Sequence, residues 1–328
     1  MAAYSIILPV RNGGSHVKEC VNSILAQTFS DFNLLVLDNQ STDGTVEWIT
    51  LLKDKRVAFY PASKPLSIIE NWARIKEIPK NEFITLIGHD DVLYPGYLSS
   101  MDKLIKNHPD ASLYQSHFNY INGVGAFVRP CMPMAERQTG SEFLACQLAQ
   151  TIDSMGTGYM MRSNDFDRLG GMPENYPNLI FADYQLWVQL SMISYKATSP
   201  EFNFEYRVHD SVSRLTNGFE YQDAFGKYIL FINSLKSDPT VHNVISHYAY
   251  DYLMYFCESL SHRILKSAEK GRGMSVEKFI LKCESYAALL VPDTKFKPLK
   301  RRKVWLAKML DKSSVSRRGF RLLKQFIK

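Results

Sequence analysis

The chain has 328 residues, 45% of them apolar and 22% charged, and carries a net charge of +6. That composition belongs to a folded globular chain and argues against a disordered or fibrous one. The five cysteines, Cys20, Cys131, Cys146, Cys257 and Cys283, are odd in number, widely spaced and without a CxxC pair. This speaks against a zinc ribbon or a disulfide framework and for buried thiols in a reducing compartment.

The first hundred residues alternate short apolar runs with helical spacing. Ile6–Val10 reads as a buried strand cut near its end by Pro9, and Val17, Val21, Ile24 and Leu25 recur at helical intervals between His16 and Gln27. A second strand, Asn33–Leu37, leads into the polar loop Asp38-Asn39-Gln40-Ser41-Thr42-Asp43-Gly44 and a helix from Thr45 to Leu52. Val57–Tyr60 is a third strand, Ile69–Ile78 a helix, and Phe83–Ile87 a fourth strand ending at Gly88-His89-Asp90-Asp91. The rhythm predicts an α/β fold, Rossmann-like, with a mainly parallel sheet and helices on both faces. Such sheets bind ligands beyond the carboxyl ends of their strands. That singles out Arg11, Asn12, Asp38, Asn39, Asp90 and Asp91.

The middle of the chain is less regular. It offers a strand at Ser112–Phe118, a helix near Ser141–Ala149, a Gly-rich turn with a strand at Gly156–Met161, and a helix at Asp183–Met192. From Tyr221 onward the pattern is helical. Three ranges are therefore expected: 1–218 for the α/β domain, 219–296 for a helical extension and 297–328 for a basic amphipathic tail. The tail holds twelve Lys and Arg against one acid, Asp311, so it carries +11 and leaves −5 for residues 1–296. Lys300-Arg301-Arg302-Lys303 precedes Trp305, Leu306, Met309 and Leu310; further on, Phe320, Leu322, Leu323, Phe326 and Ile327 share one face with basic residues around them. Helices of this kind lie in an anionic membrane surface. A helix packed on the body with a solvated charged face is the plainer alternative. The tail has few stacking aromatics and no nucleic-acid motif, so no nucleic-acid partner is expected. No run of about 18 apolar residues occurs and no segment resembles a signal peptide. The expected location is the cytoplasm, peripheral at the inner face of the cytoplasmic membrane.

The chemistry centres on Asp90-Asp91. Two adjacent carboxylates at the end of a buried strand repel each other and lose solvent. A hard divalent cation, Mg²⁺ or Mn²⁺, relieves that repulsion through oxygen ligation and would also neutralise a departing diphosphate. By itself an Asp-Asp pair is an ordinary solvated turn. Its place after an apolar strand and before Leu93 and Pro95 favours the metal.

Four blocks in order, Ser5-Ile6-Ile7-Leu8-Pro9-Val10-Arg11-Asn12, Ser23-Ile24-Leu25-Ala26-Gln27-Thr28-Phe29, Asp38-Asn39-Gln40-Ser41-Thr42-Asp43-Gly44-Thr45 and Asp90-Asp91-Val92-Leu93-Tyr94-Pro95, resemble family 2 glycosyltransferases over roughly residues 4–215. The resemblance implies the GT-A fold, here with a helical C-terminal extension. It also implies roles: Pro9 and Arg11 line the nucleotide pocket, Asp38 and Asn39 meet the base, Asp90 meets the ribose or the metal, and Asp91 is the main metal ligand. Asp183, in Phe181-Ala182-Asp183-Tyr184-Gln185-Leu186-Trp187, is the implied general base, with a helix N-cap as its plainer role. Arg207 and His209, in Tyr206-Arg207-Val208-His209-Asp210-Ser211-Val212-Ser213, would face the diphosphate or the metal. Gly156-Thr157-Gly158-Tyr159-Met160-Met161-Arg162 resembles the acceptor-side segment, and Trp187 either stacks on a sugar or packs in the core. Asn39, Gly88 and Ala182 stand where members often have acids. The implied activity is a metal-dependent inverting transfer of a hexosyl or N-acetylhexosaminyl group. The donor is a UDP- or dTDP-sugar, and the acceptor a hydroxyl of a glycan or lipid-linked saccharide, as in surface-polysaccharide assembly. Two rivals stay open. A nucleotidyltransferase would need a Gly-rich basic loop, of which Arg11-Asn12-Gly13-Gly14 is a poor version, and a degenerate binding protein is suggested by the three missing acids. A dehydrogenase is disfavoured, because no GxGxxG follows the first strand.

Overall fold

The computed structural model describes residues 3–208, 216–268 and 271–326 and divides into two compact units. The first comprises Met1–Phe143, Ile152–Glu174 and Ala182–Ser211; the second comprises Leu144–Thr151, Asn175–Phe181 and Val212–Lys328. The two short excursions of the chain into the second unit break up the contiguous range 1–218.

The first unit is built on a ten-stranded sheet. Strands β1 (Tyr4–Val10), β2 (Phe32–Asp38), β3 (Val57–Pro61) and β4 (Phe83–Leu86) are mutually parallel in the order β3-β2-β1-β4. All seven residues of β1 are buried, as an unbroken apolar strand between two covered faces must be. Pro9 is tolerated inside it because the pairing with β4 ends at Ile7–Leu86, leaving no ladder bond there for a proline to lose. Helices α1 (Gly14–Leu25), α2 (Thr45–Leu51) and α3 (Ile68–Ala73) make the crossovers, α3 starting from a Ser67–Glu70 capping box.

Beyond β4 the sheet becomes mixed. It contains β5 (Val92–Leu93), β6 (Leu113–Asn122), β7 (Phe127–Pro130), β8 (Arg137–Thr139), β9 (Tyr159–Arg162) and β10 (Tyr195–Val208). Strand β9 enters antiparallel between β4 and β6, and β10 runs parallel to β6 with β5 and β8 antiparallel to it. Helices α4 (Tyr97–Asn107), α5 (Gly140–Ala149), α6 (Ser163–Arg168) and α7 (Ala182–Ile193) complete the connections. The 14-residue β10 was not foreseen, because Ser199-Pro200-Glu201 interrupts its alternation and its register to β6 shifts at that point.

The second unit is helical: α8 (Gly218–Ser234), α9 (Pro239–Lys266), α10 (Val276–Leu290), α11 (Arg302–Asp311) and α12 (Ser314–Phe326). Asn217, Asp238 and Ser275 cap the first three. Its core is aromatic, with Phe225 stacked on Phe256 at 4.8 Å and Phe181 on Tyr228 at 5.3 Å. The basic segment is not a free appendage. Val304 and Ala307 of α11 are fully buried, and the Asp311 carboxylate accepts the Val276 N–H at 2.7 Å and pairs with Arg272.

Candidate active site

Strand order reverses at β1, which lies between β2 and β4, so the loops at the carboxyl ends of these three strands meet. The first two are stitched together. Asn12 N–H donates to Ser41 Oγ at 2.8 Å, Thr42 N–H to Asn12 Oδ1 at 2.8 Å, and Gly14 N–H to Asp43 Oδ2 at 2.7 Å. Asn12 and Gln40 both hold positive φ, +53° and +50°, a conformation that L-residues keep only where surrounding bonds enforce it.

Asp38, the last residue of β2, is wholly buried. One carboxylate oxygen accepts the Ser41 N–H at 3.2 Å; the other is buried with no hydrogen-bond partner. A buried anionic oxygen without a donor costs stability on the order of 1–3 kcal/mol, which a ligand N–H or O–H would recover. Asn39 is placed differently from the expectation. Its amide donates to Leu66 O and accepts from Leu66 N–H, both at 2.8 Å, and Arg11 donates to the same carbonyl at 3.4 Å. The two side chains therefore shape the loop before α3. Arg74, missed in the sequence, donates to the carbonyls of Asp38 at 3.1 Å and Tyr60 at 2.6 Å, fixing the ends of β2 and β3.

The Asp90-Asp91 turn closes over Gly88. A Cβ at Gly88 would lie 2.8 Å from Asp90 Oδ1 and 3.0 Å from Asp91 Oδ2, so both carboxylates bend back to the same spot. This gives a physical reason for glycine where members often carry an acid. Asp91 is 1% exposed; its Oδ1 accepts the Arg207 N–H at 3.0 Å and its Oδ2 accepts the Thr157 hydroxyl at 2.6 Å. Burial first, and then the neighbouring Asp90 charge, push its pKa well above the usual carboxylate range. Each oxygen keeps a further lone pair. Among the described residues no group of three His, Cys, Asp or Glu forms a metal cluster. The hard oxygens of Asp90 and Asp91 fit Mg²⁺ or Mn²⁺ when ligand phosphates complete the shell.

Arg207 reaches this turn, but its guanidinium is spent on protein. It donates to Asp90 O at 2.7 Å and Asn122 O at 3.2 Å and pairs with Glu19 at 2.7 Å, with 3% of the residue exposed. It buttresses the turn from behind rather than facing a diphosphate. His209 lies outside the described residues.

Two consecutive residues, Gly156 and Thr157, join the acid turn to Asp183, and Gly158 follows them against Phe204. Thr157 bonds Asp91, Gly156 packs so that its Cβ position lies 3.7 Å from Asp183 Oδ2, and Gly158 takes φ +78° with its Cβ position 2.4 Å from the Phe204 ring. Only glycine fits position 158 without moving that ring. Asp183 sits in the first turn of α7 and keeps part of its surface accessible. The protein packed around it pushes its pKa up to about 6 by desolvation, against two backbone hydrogen bonds. One turn later, Trp187 is fully buried, stacks on Tyr159 at 4.4 Å and donates its indole N–H to Met155 O at 2.8 Å. It is therefore a core residue that pins α7 to the 155–158 segment. The resemblance implies that 156–162 lies on the acceptor side; the Thr157–Asp91 bond has no local signal in the sequence beyond the two flanking glycines.

The model of the family described as glycosyl transferase family 2 matches residues 5–170. An uncharacterized glycosyltransferase of Rickettsia typhi is 26% identical over 219 residues, covering 63% of this chain and 64% of its own length. One from Rickettsia conorii is 27% identical over 195 residues, covering 58% and 31%. The chain thus spans less than two thirds of these relatives. Among solved structures, S. aureus TarS residues 1–349 in complex with UDP-GlcNAc superposes with a TM-score of 0.65 at 13% identity, covering 97% of this chain and 91% of that one. The mannosyltransferase PcManGT of Pyrobaculum calidifontis in complex with GDP-Man and Mn2+ gives 0.52 at 14% identity, covering 95% and 88%. At these identities the likeness establishes the fold, which is the α/β GT-A arrangement with a helical C-terminal region.

Proposed function

Because this chain belongs to glycosyl transferase family 2, we propose that it catalyses an inverting, metal-dependent sugar transfer from a UDP- or dTDP-sugar to a hydroxyl of a glycan acceptor, with Asp183 as general base. The observation that carries the reading is the Gly156-Thr157 pair, which ties the base to the acid turn within two residues, through the 2.6 Å Thr157–Asp91 bond at one end and the Gly156–Asp183 approach at the other. Asp183 lies beyond the matched residues 5–170, so its assignment stands on this geometry and on the motif around it.

The donor's pyrimidine would satisfy the unpartnered Asp38 oxygen, since uracil and thymine each carry one ring N–H donor near two carbonyls. Asp91 and Asp90 would hold Mn²⁺ or Mg²⁺, which supplies Lewis-acid neutralisation of the diphosphate. Arg207 and Thr157 hold the Asp91 oxygens in place. The Asp183 carboxylate takes the acceptor O–H proton as that oxygen bonds to the anomeric carbon. The carbon–diphosphate bond breaks on the opposite face, and the nucleoside diphosphate leaves with its electron pair. A carboxyl with a pKa of about 6 is a better proton acceptor than an ordinary aspartate and is still ionised at neutral pH. UDP-GlcNAc and GDP-Man, bound by TarS and PcManGT respectively, support a nucleotide-sugar donor; the pyrimidine preference rests on Asp38.

The acceptor is proposed to be a lipid-linked saccharide at the inner face of the cytoplasmic membrane. No described helix is long and apolar enough to cross a membrane. Helix α12 leaves Val315, Leu322 and Leu323 exposed among basic residues, as a surface-lying helix would. The first experiment is release of nucleotide from a panel of nucleotide-sugars with and without Mn²⁺, for the protein and for Asp91→Asn. Metal-dependent release of one nucleotide, lost in the variant, is expected. Absence of both release and metal-dependent calorimetric binding across the panel would overturn the reading.

A further inference from the structure

The helical unit contains an open hollow of about 640 Å³, lined among the described residues by Ser259, His262, Arg263, Lys266 and Ser267 from the C-terminal half of α9 and the turn after it, with Thr216 and Asn217 also on its wall. A smaller one of about 360 Å³ adjoins it along the same helix face, shares Ser259, His262 and Lys266, and adds Lys303 of α11. Together they bring three cationic side chains, Arg263, Lys266 and Lys303, and the Ser259 hydroxyl to one face, the Ser267 hydroxyl donating to Arg263 O at 2.9 Å. Among the described residues the acid lining this face is Glu258, held by Lys303 at 2.9 Å. The Arg263 guanidinium is pre-positioned, lying 4.0 Å over the Tyr221 ring and donating to Thr216 O at 2.8 Å. Burial pushes the His262 pKa down, so its ring serves at neutral pH as a hydrogen-bonding group, with Nδ1 at 3.0 Å from Glu258 O.

The surroundings indicate where a ligand comes from. The amphipathic helix α12 packs against this wall: Phe320 stacks on His262 at 6.5 Å and Arg321 donates to Ser267 O at 3.3 Å. On α12, Leu322 and Leu323 are exposed next to those two contacts; on α11, Trp305 and Leu306 are exposed next to Lys303. Exposed apolar side chains beside a cationic hollow match the two parts of an anionic lipid at an interface, acyl chains and headgroup. The volume exceeds what one inorganic phosphate fills and lies within the range of small-molecule sites.

We propose that this hollow binds the phosphate of a membrane lipid headgroup, with Lys266, Lys303 and Arg263 neutralising it and the Ser259 hydroxyl donating to its oxygens. The site lies wholly in the helical unit. The proposal rests on the membrane reading of α12, and the test separates the two.

The full chain is cosedimented with neutral galactolipid vesicles doped either with phosphatidic acid or, at equal surface charge, with the phosphate-free cholesteryl hemisuccinate. At least tenfold tighter binding to the phosphatidic acid vesicles is expected. Lys266→Gln with Lys303→Gln should bring the ratio close to one. The charge-matched Lys278→Gln with Lys295→Gln, exposed lysines outside the hollow, should leave the ratio unchanged. Equal wild-type binding to both vesicles, or a preference that survives in the pocket pair, overturns the proposal. Saturation by micromolar inorganic phosphate without vesicles, erasing the preference, overturns the lipid source in favour of free phosphate. Leu322→Ser with Leu323→Ser tests the membrane reading separately and should weaken binding to both vesicle types alike. If it does not, calorimetry with water-soluble dihexanoyl phosphatidic acid decides the pocket, and no heat in that titration overturns it.

Discussion

Replacing Asp183 with Asn removes a charge and keeps the shape of the side chain. In the fold the carboxyl pKa is raised from 3.8 to about 6. The ionised group therefore opposes folding above about pH 6 and has no such effect below 3.8, where it is protonated in both states. A shift of roughly two units corresponds to about 3 kcal/mol at most. The first-turn position on α7 favours the anion and returns roughly 0.3–1 kcal/mol of that. Asp183→Asn should then stabilise the protein by about 2 kcal/mol at pH 8, a rise of a few degrees in melting temperature, and the gain should vanish toward pH 4. Transfer should fall by about 10²–10⁴-fold, the usual contribution of a general base, while donor binding stays intact. The wild type should lose about tenfold in kcat/KM between pH 7 and 5 as the base is protonated. Differential scanning of both proteins at pH 8 and 4.5, calorimetry with donor, and initial rates across pH provide the assay. A variant that still transfers at near wild-type rate, or that is equally destabilised at both pH values, would refute the reasoning.

Other positions give sharper structural tests. Thr157→Val removes the 2.6 Å hydroxyl bond to Asp91; a roughly 10–100-fold loss in activity or metal affinity is expected, read from rates against Mn²⁺ concentration. Gly158→Ala combines a φ of +78° with a Cβ 2.4 Å from the Phe204 ring and should cost at least about 2–3 kcal/mol, measured by urea unfolding. Gly88→Asp, which restores the acid common in the family, should lower activity instead of raising it, because its Cβ would meet Asp90 Oδ1 at 2.8 Å and Asp91 Oδ2 at 3.0 Å; a rise in metal-dependent rate would show that the turn relaxes.

Much of the architecture is legible in the sequence because it rests on local pattern. The apolar runs at Ile6–Val10 and Phe83–Ile87, with helical spacing between them, are enough to specify parallel strands with crossovers, and the polar residues that end those strands mark the binding edge. Asp38, Asp90 and Asp91 are candidates by residue type and position at strand ends, and Asp183 by the resemblance of the motif around it. Strand β10 and the insertion of β9 between β4 and β6 could not, since their partners are distant in sequence and their alternation is broken or short. Composition likewise marked 297–328 as basic, but Val304, Ala307 and Asp311 tie α11 into the helical core.

The partners of side chains at the candidate site are set by tertiary structure alone. Arg207 looks like a free cation in the sequence, yet Glu19 and the carbonyls of Asp90 and Asn122 consume it. Asn39 looks like a base reader, yet Leu66 occupies both ends of its amide. Thr157, an unremarked hydroxyl in sequence, holds the buried Asp91. Each outcome follows from long-range hydrogen bonding in a buried setting, where a polar group takes whichever partner the fold brings within 3 Å. Strand order and the reach of distant loops set that partner, and local sequence does not encode it.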